Sequence, residues 1–172
     1  MTAIYTRAGQ STDIPAIMQI LADARQFLKE QNINQWQGSY PDQAAIEKDL
    51  AAGTNRVLVM DGQVVGNASL LAGPDPFYLP IDGDGWQGAA DYMMIHRFAV
   101  SAKIRGQRLS KFFISNLVSE AYAKGYRDLR IDTHAENKIM QHVITGNGFL
   151  FRGIVYLDEP VPERNAYQLL LP

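Results

Sequence analysis

Three cations and a histidine stand close together near the middle of the chain. Lys103, Arg105 and Arg108 fall within the run Lys103-Ile104-Arg105-Gly106-Gln107-Arg108-Leu109-Ser110, and His96 lies shortly upstream. Clustered cations suit a compact anion such as a phosphate ester, because charge-assisted hydrogen bonds to phosphate are the strong ones. An imidazole suits proton transfer, since its unperturbed pKa lies close to neutral pH. The same basic run also has a bland reading, as a strand-to-helix loop that binds nothing.

The elements that must position these residues can be read around them. Tyr92, Met93, Met94, Ile95, Phe98, Ala99 and Val100 form an apolar run broken by His96 and Arg97, of strand length and too short for an independent helix. Leu109, Phe112, Phe113, Leu117 and Ala121 recur at helical spacing until Lys124-Gly125 supplies a cation and a stop. A helix that follows a glycine-bearing loop leaves its first N–H groups aimed outward, at the positive end of its dipole. Such a terminus is an anion site.

Two better-known phosphate loops are excluded. No Gly-x-x-x-x-Gly-Lys-Ser/Thr occurs, and the one Gly-x-Gly-x-x-Gly, Gly83-Asp84-Gly85-Trp86-Gln87-Gly88, follows a proline-bearing loop and leads into a strand. The dinucleotide fingerprint must instead follow a strand and open a helix.

Composition bounds the alternatives. At 172 residues and 47% hydrophobic, the chain suits one globular domain over residues 1–172 with a full core. The absence of cysteine removes disulfides, thiolate nucleophiles and cysteine-ligated metals. His134 with Glu136 lacks a His-Glu-x-x-His context, so no metal is expected. No signal peptide or membrane-length apolar run is legible, so a soluble cytoplasmic protein without a membrane partner is expected. A formal net charge of −2 argues against nucleic acid as a partner. No Gly-x-Ser-x-Gly elbow offers a seat for hydrolase chemistry.

The rest of the chain reads as alternating strands and helices. Ala3 to Tyr5 suggest a first strand, and Thr12 a helix N-cap before Ile14, Ile17, Met18, Leu21, Ala24 and Leu28. A second helix opens at Pro41-Asp42, preceded by Trp36 and Tyr40, which either line a cleft or cover the edge of the core. Asp61-Gly62 between two apolar, β-branched runs predicts a two-residue hairpin. Gly73 to Ala90 is a long loop with Phe77, Tyr78 and Trp86, read as a substrate wall. A strand then ends at Thr133-His134, a short helix carries Ile139, Met140, Val143 and Ile144, and Phe149–Leu157 and Ala166–Leu171 close the chain. The sum is a mixed α/β domain, an α+β mixed sheet of about six or seven strands with four helices.

The basic run resembles the central motif of the GNAT acyltransferases: Arg or Gln, two variable residues, Gly, one variable residue, then Gly or Ala. Arg105 matches the first position and Gly106 is a usual flanking residue, while Arg108 stands where the family has its middle glycine and Ser110 where it has its last small residue. The likeness extends over nearly the whole chain, from Thr2 to about Leu171, and implies a GNAT-like acyl-CoA N-acyltransferase fold with acetyl-CoA as cosubstrate. It implies that backbone N–H groups near Phe98, Ala99 and Val100 hold the pantetheine arm and polarise the thioester carbonyl. It likewise implies that Arg105, Gly106, Gln107, Arg108, Leu109 and Ser110 cradle the pyrophosphate. Asn137 matches the family's cofactor-touching asparagine, with a helix cap as its other reading.

The implied reaction is direct attack of a primary amine, from a small molecule or a protein, on the thioester within a ternary complex. A lysine-like amine with pKa about 10.4 is unprotonated at pH 7 only at a cost of about 4.6 kcal/mol, so a base is expected. His96 is the candidate, because counting by twos along the strand puts His96, Phe98 and Val100 on one face and a histidine at a similar place serves in the arylalkylamine branch of the family. The rival reading of His96 is structural. Ile144 stands where many members place a tyrosine as general acid. That substitution, with Arg108 and Ser110, motivates the competing hypothesis of a non-catalytic acyl-CoA-binding module acting as sensor or protein partner.

Overall fold

The computed structural model describes residues 2–88, 91–104 and 107–172. Among them are eight strands and four α-helices, and the strands belong to one mixed sheet in the order β1-β2-β3-β5-β6-β8-β7-β4. The strands are β1 Ile4–Ala8, β2 Asn55–Met60, β3 Gln63–Ala72, β4 Asp82–Gly83, β5 Met93–Val100, β6 Asp128–Thr133, β7 Leu150–Tyr156 and β8 Glu163–Leu170. The helices are α1 Ile14–Glu30, α2 Gln43–Ala51, α3 Leu109–Ala123 and α4 Lys138–Thr145. The chain divides into two compact units, Met1–Leu70 with His96–Phe113, and Leu71–Ile95 with Ile114–Pro172.

In the first unit, β1 and β2 pair antiparallel from Ile4↔Met60 to Ala8↔Arg56. The expected hairpin joins β2 to β3: Asp61 and Gly62 take φ of 49° and 80°, the double left-handed conformation that a type I′ turn requires. Ile17, Ile20 and Leu21 of α1 and Ile46 of α2 lie on one helical stripe each, and they bury against Val57, Val59 and Ala99. Asp42 caps α2 by accepting from the N–H of Ala45 at 2.9 Å.

The start of α1 differs from expectation. A 3-10 turn at Ser11–Asp13 precedes it, and Asp13 takes the place given to Thr12. The Asp13 carboxylate accepts from the N–H of Gln10 at 2.8 Å and from Arg7 at 2.7 and 2.9 Å. The carboxylate thus closes the 3-10 turn back onto Gln10 and pairs with Arg7, and it makes no capping hydrogen bond to the N–H groups of α1.

In the second unit, Met93–Ile95 of β5 run parallel to Leu129–Ile131 of β6, while β6, β8 and β7 pair antiparallel. Its core gathers Tyr78, Tyr92, Met94, Val155 and Ala166. The long segment before β5 contains a strand that the sequence does not announce, β4, paired to β7. Two glycines permit it: a Cβ on Gly153 would lie 2.2 Å from the Asp82 carbonyl oxygen, and one on Gly83 would lie 2.8 Å from the Gly153 Cα. The Gly83-to-Gly88 run thus opens no helix.

Candidate active site

The site residues of the first unit hang on β5 and on the loop that leads from it into α3. Met93, Met94 and Ile95 are buried, and then His96, Arg97 and Phe98 are each only half-buried. The change of pattern coincides with Arg97, whose φ of 50° is left-handed inside a strand. For a non-glycine residue that conformation costs about 1–2 kcal/mol, so the surroundings must impose it.

They do so from two sides. Asp49 of α2 accepts from Nε and Nη2 of Arg97 at 2.7 and 2.6 Å, a bidentate pair with side chains only 11% and 5% exposed. Ser69 of β3 donates its hydroxyl to Asp49 and accepts from Arg97 Nε at 3.1 Å, and the Tyr40 hydroxyl accepts from Nη1 at 2.5 Å. On the backbone side, Asn67 Nδ2 donates to the Arg97 carbonyl at 2.9 Å, and Asn55 Nδ2 in turn donates to Asn67 Oδ1 at 2.8 Å. Burial works against the charge of Arg97, but the hydrogen bonds to Asp49 and the neighbouring Tyr40 and Asp49 outweigh it and raise its pKa. The guanidinium of Arg97 stays charged.

Beyond Arg97, the side chains diverge. Phe98 packs on Phe113 of α3 with ring centroids 5.3 Å apart, whereas Ala99 joins the core that α1 and α2 cover. Phe98 and Ala99 therefore face opposite ways, as extended backbone demands. Counting by twos from Phe98 back to His96 passes through the left-handed residue, where that rule does not hold. His96 is half-buried, with its Nε2 buried.

The end of β5 is held by the Ser101 N–H, which donates to the Val65 carbonyl at 2.8 Å. The loop then turns at once: the Ile104 N–H reaches the Ser101 carbonyl at 3.3 Å and the Lys103 N–H reaches Ser101 Oγ at 3.3 Å. Arg105 and Gly106 lie outside the described residues. Lys103, Gln107 and Arg108 are exposed, Ser110 is half-buried and Leu109 is buried, leaving its backbone as its polar contribution. Arg108 has φ 54°, and its carbonyl accepts the N–H of Phe112 at 3.1 Å, the first turn of α3. It thus occupies backbone space that favours glycine.

Asn137 belongs to the second unit. Its Oδ1 accepts the Met140 N–H at 3.1 Å and caps α4. Nearby His134 is 8% exposed, and its Nδ1 accepts the Glu136 N–H at 3.2 Å. Burial and the positive charge of Arg164 hold its pKa below the usual histidine value, against the opposing pull of Glu136, Glu159 and Glu163. Ile144 is fully buried and offers no proton.

Of the three aromatics in the loop preceding β5, Tyr78 and Trp86 face inward, contrary to a substrate wall built from them, and Phe77 is exposed. Tyr78 is fully buried, and its hydroxyl donates to Asp132 at 2.5 Å. Trp86 stacks on Tyr78 at 5.5 Å and donates to the Tyr78 carbonyl. Arg130 lies over both Tyr92 and Trp86, at 3.7 and 4.4 Å. Phe77 and Leu79 are the exposed apolar side chains of this loop.

Trp36 lies partly buried against the core of the first unit, and its carbonyl and that of Pro41 accept from Arg25 at 2.9 Å each. Tyr40 remains 39% exposed beside Arg97. Sequence reasoning passed over Asp49, Ser69, Asn67 and the fold role of Arg97. One signal was available: Asp49 follows Ile46 by one helical turn, on the buried side of α2, where a carboxylate needs a partner.

Comparisons with known proteins agree with this architecture. The acetyltransferase (GNAT) family profile matches residues 17–149. No curated protein sequence matches the chain. A GNAT-family acetyltransferase from Streptococcus agalactiae shares 29% identity at a TM-score of 0.89, over 98% of this chain and 96% of that one. The ribosomal-protein-alanine N-acetyltransferase of Brucella melitensis gives 21% identity and 0.70, over 97% and 99%. The yncA protein of Salmonella typhimurium, solved with its cofactor acetyl-CoA, gives 17% and 0.69, over 99% and 95%. The last two bear on the fold alone. The fold is that of an acyltransferase, and the chain belongs to the acetyltransferase (GNAT) family.

Proposed function

We propose that the protein is an acetyl-CoA-dependent N-acetyltransferase acting on a primary amine in a ternary complex. The observation that carries this reading is the passage from β5 into α3, which lies inside the family match and puts a left-handed, glycine-favouring backbone at Arg108 directly before the first helical turn. Family members use acetyl-CoA, and the residues present fit that group. Arg108 is an exposed cation at the positive end of the α3 dipole and Lys103 an exposed cation in the loop before it, and the N–H groups of Gln107 to Ser110 would supply donors for a pyrophosphate, while Arg105 and Gly106 lie outside the described residues. Asn137 would add a contact from its amide while its oxygen caps α4.

When bound, the cosubstrate supplies an activated acetyl thioester. Phe98 and Val100, whose N–H groups share the strand edge opposite the one from which Ser101 donates to Val65, would receive its carbonyl and its arm, with Ala99 between them, as preorganised donors aimed where negative charge develops. His96 would take the proton from the incoming ammonium, directly or through water. The thiol leaving group needs less help, because at a pKa of about 8.5 it departs as thiolate at pH 7 for about 2 kcal/mol. The buried Ile144, where a proton donor is usual in the family, favours as a second reading an acyl-CoA-binding module without turnover.

Both readings are separated by incubating the protein with acetyl-CoA and a panel of small amines and peptides while free thiol is followed. Thiol release that depends on an amine supports the transferase. Binding of CoA with no release for any amine supports the binding module.

A further inference from the structure

The left-handed residue in β5 is over-determined. Three elements converge on Arg97: α2 through Asp49, β3 through Ser69 and Asn67, and β2 through Asn55 behind Asn67. A buried ion pair alone is weak evidence of a stability role, since apolar residues of similar volume serve as well. What apolar residues cannot do is hold a side chain at both ends of a strained backbone unit. Here the guanidinium is gripped by both oxygens of Asp49 while the carbonyl of the same residue is gripped by Asn67. The peptide beginning at that carbonyl ends in the N–H of Phe98, the first of the donors proposed for the thioester.

We propose that Asp49, acting through Arg97, is a positioning residue that holds the kink in β5 and so aims the backbone N–H of Phe98 at the acetyl carbonyl. The inference rests on the acetyl-CoA reading of this strand. It predicts that loosening the kink affects recognition of the acetyl group rather than of CoA as a whole, because the acetyl carbonyl is what the Phe98 N–H meets, while Val100 faces the arm that CoA shares.

The test compares affinities for acetyl-CoA and for CoA, measured by calorimetry, in wild type, Asp49→Asn, Asp49→Asn/Arg97→Ala and Asp49→Asn/Arg97→Gly. The double variants avoid leaving either charge buried alone. Alanine is strained at φ 50° and glycine is not. The alanine variant should lose about fivefold in affinity for acetyl-CoA relative to CoA, the worth of one hydrogen bond, and the glycine variant should regain most of it. An equal loss in both, or no loss in either, would overturn the assignment, because the side chains and not the backbone would then set the effect, or nothing would. Should the alanine variant fail to fold, as thermal melting would reveal, Asp49→Asn takes its place: recovery of its lost preference on adding Arg97→Gly supports the role, and no recovery overturns it. Failure of wild type to bind either ligand would instead remove the acetyl-CoA reading itself.

Discussion

At the scale of single residues, the proposed acetyl transfer turns on which of two proton transfers is expensive. Deprotonating an alkylamine at pH 7 costs about 4.6 kcal/mol and releasing a thiolate about 2 kcal/mol, so a base matters more than an acid. His96→Ala should therefore lower turnover with an accepted amine by about 10² or more, the ordinary range for a general base. Steady-state rates of the variant check it, and full activity would show His96 to be structural. Ile144→Tyr should change turnover less than about tenfold. Because Ile144 is fully buried, the larger ring and its hydroxyl should also destabilise the protein by about 1–3 kcal/mol. A melting curve beside the rate measurement reads both effects, and a large gain in rate would instead restore tyrosine to the role of acid.

At the scale of elements, the junction between β5 and α3 combines two functions that mutation can separate. Arg108 has a left-handed backbone that glycine adopts without strain, and an exposed cationic side chain at the start of a helix. Arg108→Gly should stabilise the free protein by about 0.5–1 kcal/mol and weaken CoA binding about tenfold, the worth of a charge-assisted hydrogen bond. Arg108→Ala should weaken binding equally without the gain in stability. Thermal melts paired with CoA titrations distinguish these outcomes, and unchanged CoA affinity in both variants would remove the side chain from the phosphate site.

For the molecule as a whole, binding and protonation both feed into stability. CoA at one hundred times its dissociation constant should add about 2.7 kcal/mol, or about 5–10 °C in melting temperature, with no acceptor present. No shift at millimolar CoA would end the cofactor assignment. His134 governs a separate dependence on pH. Its folded pKa is lowered by burial and Arg164, so below the unfolded value of about 6.5 the unfolded chain binds more protons there than the folded one. The contribution of His134 is accordingly complete above about pH 6.5 and falls as the solution is acidified through the lowered folded value. Urea melts between about pH 5 and 7.5 should show stability rising to a plateau, with a shallower rise in His134→Gln.

What the sequence determined by itself was whatever depends on neighbours along the chain. Asp61-Gly62 forces its turn because those two residue types tolerate left-handed backbone, and the stripe of Ile17, Leu21 and Leu28 makes α1 because helical periodicity puts them on one face. The strand, basic loop and helix from β5 to α3 were legible for the same reason, as was the family likeness they carry. Partners distant in sequence decided the remainder. The start of α1 moved from Thr12 to Asp13 where β1 brings Arg7 within 2.7 Å of the Asp13 carboxylate. The two-residue β4 exists because Gly153 of β7 lets its backbone approach, and Trp86 turned inward because Tyr78 and Arg130 receive it. The kink at Arg97 needs Asp49 from α2 and Asn67 from β3. Local patterning states what a segment would adopt among water and its own neighbours. A buried charge or a strained φ is tolerated only once folding has delivered the groups that satisfy it, and only the tertiary structure names those groups.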